Sequence, residues 1–229
     1  MKINGVAFDL EGTVVDVEEA HHRGHFAVAK DVGVDLTLET ALKLIPHFIG
    51  GPDEKISEEI WDLSDKKYDK DFIAERDKYY YHEFLKSSVI QPRPGFIRVL
   101  EEMRKAGLKT SIGSLTGKNE AEALLKISGL DKIFSRDITV LRENVKNIKP
   151  APDVFFETAR RMGIDPKEQL VFEDSPNGIR AVIASGSTAI GMPVYDKVEV
   201  IQRLLDEGAV KVFKSWEEVN MTELMKNFK

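Results

Sequence analysis

From residue 95 onward the chain alternates helix and strand, and this rhythm limits its fold more than any other feature of its 229 residues. Apolar positions at 3–4 spacing predict a helix over 95–106, and "LKTSIGS" (108–114) predicts a strand. The pattern recurs as a helix at 118–128, a short strand near 137–141 and a helix at 152–163. "QLVFED" (169–174), a helix at 176–185, "STAIGM" (187–192), a helix at 197–207, the strand "VKVF" and a last helix complete it. Upstream, "INGVAFDL" (3–10) reads as a short buried strand bounded by Gly12. Strands and helices in alternation imply an α/β fold with a doubly wound parallel sheet. Ligands then gather at the carboxyl ends of its strands.

Residues 17 to about 88 break the rhythm. "VEEAHHRGHFAVAKDVG", "LTLETALKLIPHFI", "PDEKISEEIWDLSDKK" and "DKDFIAERDKYYYHEFLKSS" predict four helices and no strand. "IQPRPG" (90–95) follows as a Pro/Gly-marked linker. An all-helical insertion therefore interrupts the α/β domain just after its first strand. The insertion is acidic: residues 17–90 hold 16 Asp and Glu against 10 Lys and Arg, which accounts for the whole net charge of −6. No basic stripe exists to hold a nucleic acid. All five histidines (His21, His22, His25, His47 and His82) lie in the same segment, so a Ser-His-Asp hydrolase built on the α/β part is a poor fit. The chain has no Cys, which excludes disulfides and thiolate metal sites and suits the cytoplasm. No apolar run approaches the ~18 residues of a membrane span, and the first segment is a strand rather than a signal peptide.

Chemistry concentrates at the expected strand ends. The first strand ends in Asp9 and Glu11, the next in Ser114 with Thr116, and "QLVFED" in Glu173 and Asp174. Lys149 heads "KPAPDVF", where two prolines mark the approach to a helix. Four acids, two hydroxyls and one Lys at one sheet edge make an oxygen-rich site for a hard cation such as Mg²⁺ beside a phosphate. Residues i and i+2 of a strand share a face, so extended geometry past Asp9 would aim Asp9 and Glu11 into one cleft. Gly12 lets the chain turn there and exposes N–H groups to an anion.

In "FDLEGTVVD", "IGSLTGKN", "KPAPDVF" and "VFEDSPNGIRA", taken in that order around a helical insertion, the chain resembles the haloacid dehalogenase superfamily. The resemblance is to its β-phosphoglucomutase-like and phosphoglycolate-phosphatase-like branch. It implies a Rossmann-like catalytic core of residues 1–15 and 95–229 and an α-helical cap of residues 16–94. It further implies an Mg²⁺-dependent phosphatase of a small phosphorylated metabolite, cytoplasmic, with no nucleic-acid or membrane partner and a monomer as the default. Position by position, Asp9 would be the nucleophile that forms an aspartyl-phosphate. Glu11 would be the acid–base, Ser114 and Lys149 the phosphate-binding groups, and Asp174 a metal ligand with Asp9 and the Glu11 carbonyl. Glu173 would be an additional ligand or a supporting acid. In the cap, His21 and Lys55 are candidates for substrate contact, and "FIGGPDEKI" (48–56) resembles the substrate-specificity loop.

Position 11 departs from the family, which usually carries Asp there. Glu and Asp titrate at similar values, about 4.3 and 3.9, yet the extra methylene moves the proton donor by roughly a bond length. A misplacement of ~1 Å costs on the order of 10²-fold. The alternatives are a phosphomutase of the β-phosphoglucomutase type and a weakly active or non-catalytic partner-binding relative. A dehalogenase gains little from a metal-binding acid pair. Phosphoglycolate, a sugar phosphate and a nucleotide remain open as substrates.

Overall fold

The computed structural model of the chain describes residues 2–48 and 53–226. In chain order, β1 (Gly5–Phe8) is followed by α1 (Glu18–Asp31), α2 (Leu38–Leu44), α3 (Asp53–Leu63) and α4 (Lys70–Ser87). Next come α5 (Phe96–Lys105), β2 (Lys109–Gly113), α6 (Lys118–Ile127), β3 (Thr139–Val140), α7 (Asp153–Met162) and β4 (Gln169–Glu173). The chain continues through α8 (Pro176–Ala184), β5 (Thr188–Gly191), α9 (Val198–Asp206), β6 (Lys211–Val212) and α10 (Met221–Lys226). Two compact units result, one of Met1–Asp16 with Ile90–Lys229 and one of Val17–Val89.

The larger unit is built on a six-stranded sheet in the order β3-β2-β1-β4-β5-β6, every pair parallel. The earliest strand lies inside it: Phe8 pairs with Ile112 of β2 on one side and Phe172 of β4 on the other. The two-residue strands β3 and β6 occupy the edges, where short length limits unwanted pairing. β3 is shorter than the sequence suggests because Arg136–Ile138 coil into a 3-10 turn just before it.

Strand alternation sorts the core into two faces. Phe8 meets Phe96 edge-on at 5.3 Å, Phe172 in a stack at 5.9 Å and Trp216 at 5.7 Å. Its neighbours Ala7 and Val171 join Val154 and Phe155 of α7 and Ile179 and Val182 of α8 in a separate aliphatic cluster. Gly113 of β2 lets α7 approach closely, since a Cβ there would lie 2.9 Å from Thr158 and 3.4 Å from Phe155, and each buried large side chain contributes about 1.5–3 kcal/mol.

One expectation fails in detail. The first strand ends at Phe8, not Leu10. The Leu10 carbonyl accepts the N–H groups of both Val14 and Val15, and Gly12 has φ +78°. Asp9 keeps only the next ladder bond, its N–H donating to the Phe172 carbonyl at 3.0 Å. The polypeptide therefore folds back on itself between the two acids' positions and Val15.

The smaller unit has its own core of Val28, Ala29, Val32, Ala41, Ile45, Phe48, Ile56, Ile60 and Ile73. Thr37 caps α2 through the Thr40 N–H, and Asp69 caps α4 through the Phe72 N–H at 2.8 Å. Arg76 and Tyr80 of α4 both donate to Asp31 of α1, at 2.9 and 2.8 Å, and hold the two helices in register. Ile49, Gly50, Gly51 and Pro52 of the expected specificity loop lie outside the described residues. Among the described residues no helix is long and apolar enough to cross a membrane.

Candidate active site

The carboxyl ends of β1, β2 and β4 and the approach to α7 gather the acids, the hydroxyls and the lysine. Lys149 Nζ lies 2.5 Å from Asp9 Oδ1 and 2.6 Å from Glu173 Oε1, and all three side chains are at most 9% exposed. The stem of Lys149 leads past Phe155, whose ring centroid is 5.1 Å from the ammonium. A buried ammonium between two buried carboxylates satisfies both, because a charge left without a partner at that depth costs several kcal/mol.

Glu173 is tied at both oxygens. Its Oε1 takes the lysine, and its Oε2 accepts the Ser175 N–H at 2.7 Å and the Ser175 hydroxyl at 3.0 Å. Ser175 also caps α8, its hydroxyl accepting the Gly178 N–H at 3.1 Å. A Cβ at Gly178 would fall 1.9 Å from the Glu173 carboxylate, so only glycine leaves room for that acid. Asp174 accepts the Thr13 hydroxyl at 3.0 Å. Gly12 presses against it: a Cβ there would meet Asp174 Oδ2 at 2.4 Å, and the positive φ already favours glycine.

The crowding of acids governs their titration. Burial raises Asp9 to about 7; Lys149 opposes this, while Glu173 and Glu11 add to it. Burial also pushes Asp174 well above the usual carboxylate range, reinforced by Glu173 and Asp9 and opposed by Lys149 and the Thr13 hydrogen bond. One lysine does not neutralise the cluster. Asp9, Glu173 and Asp174 offer carboxylate oxygens all within 4.8 Å of one another. An all-oxygen donor set with surplus negative charge suits a hard divalent cation such as Mg²⁺.

Glu11 takes a partner from the end of β2. The Thr116 hydroxyl donates to Glu11 Oε1 and lies 2.8 Å from the Ser114 hydroxyl. Ser114 itself is 2% exposed, and its N–H donates to the Val140 carbonyl at 3.0 Å. Thr116 thus connects the two positions that motif reading treats separately.

Several supporting residues escape sequence reasoning. Arg93, inside the segment read as a linker, donates to the Gly12 carbonyl at 2.6 Å, to Met192 at 3.0 Å and to Pro193 at 2.8 Å. Trp216 Nε1 donates to the Thr13 carbonyl at 2.9 Å. Together they clamp the turn that carries Glu11, Gly12 and Thr13. The only local signals are an Arg between two prolines and an isolated Trp. Of the expected residues in the smaller unit, Lys55 pairs with Glu58 of its own helix at 2.8 Å. His21 stacks on Tyr81 at 3.9 Å and lies 3.5 Å from Asp53.

The model of the haloacid dehalogenase-like hydrolase family matches residues 3–186. Fructose-1-phosphate phosphatase YqaB of Escherichia coli is 31% identical over 186 residues, 81% of this chain and 94% of that protein. A phosphorylated carbohydrates phosphatase of Thermotoga maritima is 28% identical over 222 residues, 96% of this chain and 98% of that protein. A crystal structure of a HAD hydrolase of family IA, variant 3, from Entamoeba histolytica superposes with a TM-score of 0.79 at 23% identity, covering 99% of this chain and 98% of that one. The chain belongs to the haloacid dehalogenase-like hydrolases.

Proposed function

We propose that the protein hydrolyses the phosphate monoester of a small sugar or sugar alcohol, with Asp9 as nucleophile. The observation that carries this is the Asp9–Lys149–Glu173 chain, 2.5 and 2.6 Å long, with Asp174 beside it. The names of the relatives, a fructose-1-phosphate phosphatase, a phosphorylated carbohydrates phosphatase and a hexitol phosphatase, support the substrate class.

Asp9 attacks phosphorus with one carboxylate oxygen, the ester oxygen departs, and an aspartyl-phosphate forms that water then cleaves. Lys149 draws Asp9 into one orientation and offsets charge on the transferring phosphoryl group. Glu173, anchored by Ser175, fixes the ammonium in turn. Glu11 donates a proton to the departing oxygen and then accepts one from water, held for this by the Thr116 hydroxyl. Ser114 offers its hydroxyl to a phosphoryl oxygen. Asp9, Asp174 and the Glu11 carbonyl are the groups that would hold Mg²⁺, whose chemistry is to neutralise charge on the phosphoryl oxygens. The helical unit acts as the cap that selects the substrate.

The test is phosphate release from a panel of hexose phosphates, hexitol phosphates and phosphoglycolate, assayed with Mg²⁺ and with EDTA. Release from a hexose or hexitol phosphate, dependent on Mg²⁺ and abolished by Asp9→Asn, is expected. Full activity after verified metal removal, or an active Asp9→Asn, would reject the mechanism. Interconversion of two sugar-phosphate isomers without phosphate release would identify a mutase instead.

A further inference from the structure

The smaller unit carries a second cluster of metal-binding side chains that the hydrolytic chemistry does not use. His21 and His25 lie one turn apart on α1, and Asp53 opens α3. His21 Nδ1 is 3.5 Å from Asp53 Oδ2, and His25 Nε2 is 3.9 Å from Asp53 Oδ1. One ligand atom from each residue falls within 4.8 Å of the other two.

Bonds of 2.0–2.1 Å at tetrahedral angles place zinc ligands about 3.3 Å apart. Asp53 stands within roughly an ångström of that spacing from both imidazoles, and rotation of its half-exposed side chain covers the difference. The donors are two imidazoles and one carboxylate, with no thiolate in the chain. Such a set favours Zn²⁺, Ni²⁺ or Co²⁺ over Mg²⁺, which takes oxygen ligands, and over Cu⁺, which takes sulfur.

A second observation comes from the far side of His25. Its Nδ1 lies 2.8 Å from Asp77 Oδ1 of α4, and both side chains are buried. Asp77 accepting Nδ1–H leaves the Nε2 lone pair directed toward Asp53. A carboxylate–histidine pair of this kind fixes the tautomer and raises ligand basicity at metal sites. The rings are also held: His21 stacks on Tyr81 at 3.9 Å, and His25 meets the edge of Phe48 at 5.9 Å. Gly24 lets α4 approach, because a Cβ there would lie 3.3 Å from Asp77 Oδ1 and 3.2 Å from the Tyr81 nitrogen.

We propose that His21, His25 and Asp53 form a binding site for a divalent transition metal of the zinc class, with Asp77 orienting His25 and water completing the coordination. This assigns His21 to the metal rather than to substrate. Its donors differ from the all-oxygen Asp9–Asp174 cluster in supplying two imidazoles.

The experiment measures Zn²⁺ binding to the full chain by isothermal titration with Mg²⁺ in large excess. Co²⁺ serves as an optical reporter of histidine ligation. Wild type and Asp174→Asn should each hold one Zn²⁺. Asp53→Asn, which alters a half-exposed side chain, and His21→Phe, which preserves stacking on Tyr81, should each weaken binding at least tenfold. Circular dichroism verifies that both variants fold. No Zn²⁺ uptake under excess Mg²⁺ would overturn the proposal. So would unchanged affinity in both folded variants, or loss of the Zn²⁺ in Asp174→Asn, which would place it among the strand-end carboxylates.

Discussion

Replacing Lys149 by Met removes the ammonium that pairs with both Asp9 and Glu173 while keeping most of the side-chain volume. Both partners are buried, so the loss is far larger than for a surface ion pair. Removing one member of a buried pair costs about 3–5 kcal/mol. The cost must also depend on pH. In the parent, burial has already raised Asp9 to about 7, against the opposing pull of Lys149. Without that pull, the folded variant keeps the Asp9 proton to higher pH, whereas the unfolded chain releases it near its ordinary value of 3.8. A folded-state pKa above the unfolded one means stability falls as pH rises. For the parent this decline ends near pH 7, and for the variant it continues. Each retained proton costs about 1.4 kcal/mol per pH unit, so the gap between the two widens by about 2 kcal/mol from pH 7 to 8.5. Urea unfolding followed by circular dichroism in EDTA at pH 5.5, 7.0 and 8.5 measures it. A gap independent of pH, or below ~1 kcal/mol at pH 8.5, would refute the reasoning.

Glu11→Gln should lose on the order of 10²–10⁴-fold on a sugar or alkyl phosphate but far less on p-nitrophenyl phosphate, whose leaving group needs little protonation. Steady-state rates on the two substrates decide it, and equal losses would remove the acid–base role. Gly178→Ala places a methyl group 1.9 Å from the Glu173 carboxylate. It should destabilise the fold by about 1–3 kcal/mol in urea and lower activity through the displaced Lys149 partner, and a variant as stable as the parent would show that Glu173 is not confined. Glu157 accepts hydrogen bonds from Arg160 and Arg161, which hold it down to about 2 against the opposing effect of burial. Its folded value lies below the unfolded one, so its stabilisation is present above pH ~4.5 and is lost as pH falls toward 2. Glu157→Gln should therefore cost about 1 kcal/mol at pH 7, discounted because Arg160 is largely exposed, and less at pH 4. A loss that grows on acidification would contradict this sign.

The sheet was legible because its inner strands β1, β4 and β5 are buried on both faces and the strands are separated by amphipathic helices, a pattern carried by consecutive residues. Asp9, Lys149, Glu173 and Asp174 were legible as strand-end and helix-approach residues, and the structure gathers them. The supports were not. Arg93 reaches the Gly12 carbonyl across 81 positions and Trp216 the Thr13 carbonyl across 203, distances over which no local periodicity operates. Strand geometry also failed to anticipate the Leu10 carbonyl, whose two accepted hydrogen bonds end the extended run before Glu11. In the helical unit, the His25 partner Asp77 lies 52 positions away on α4, beyond the reach of helix periodicity.

Placing β1 between β2 and β4 has a consequence for synthesis. Its neighbours begin at Lys109 and Gln169, so during translation the earliest strand waits for more than a hundred residues before its first partner emerges. The helical unit, complete by residue 89 with its own apolar core, finishes leaving the ribosome during that wait. Domains fold as units during synthesis, and helical contacts close faster than distant strand pairs. The inserted helices are thus positioned to fold first, while the apolar "GVAF" that precedes them stays unpaired and open to capture by a chaperone or by another nascent chain.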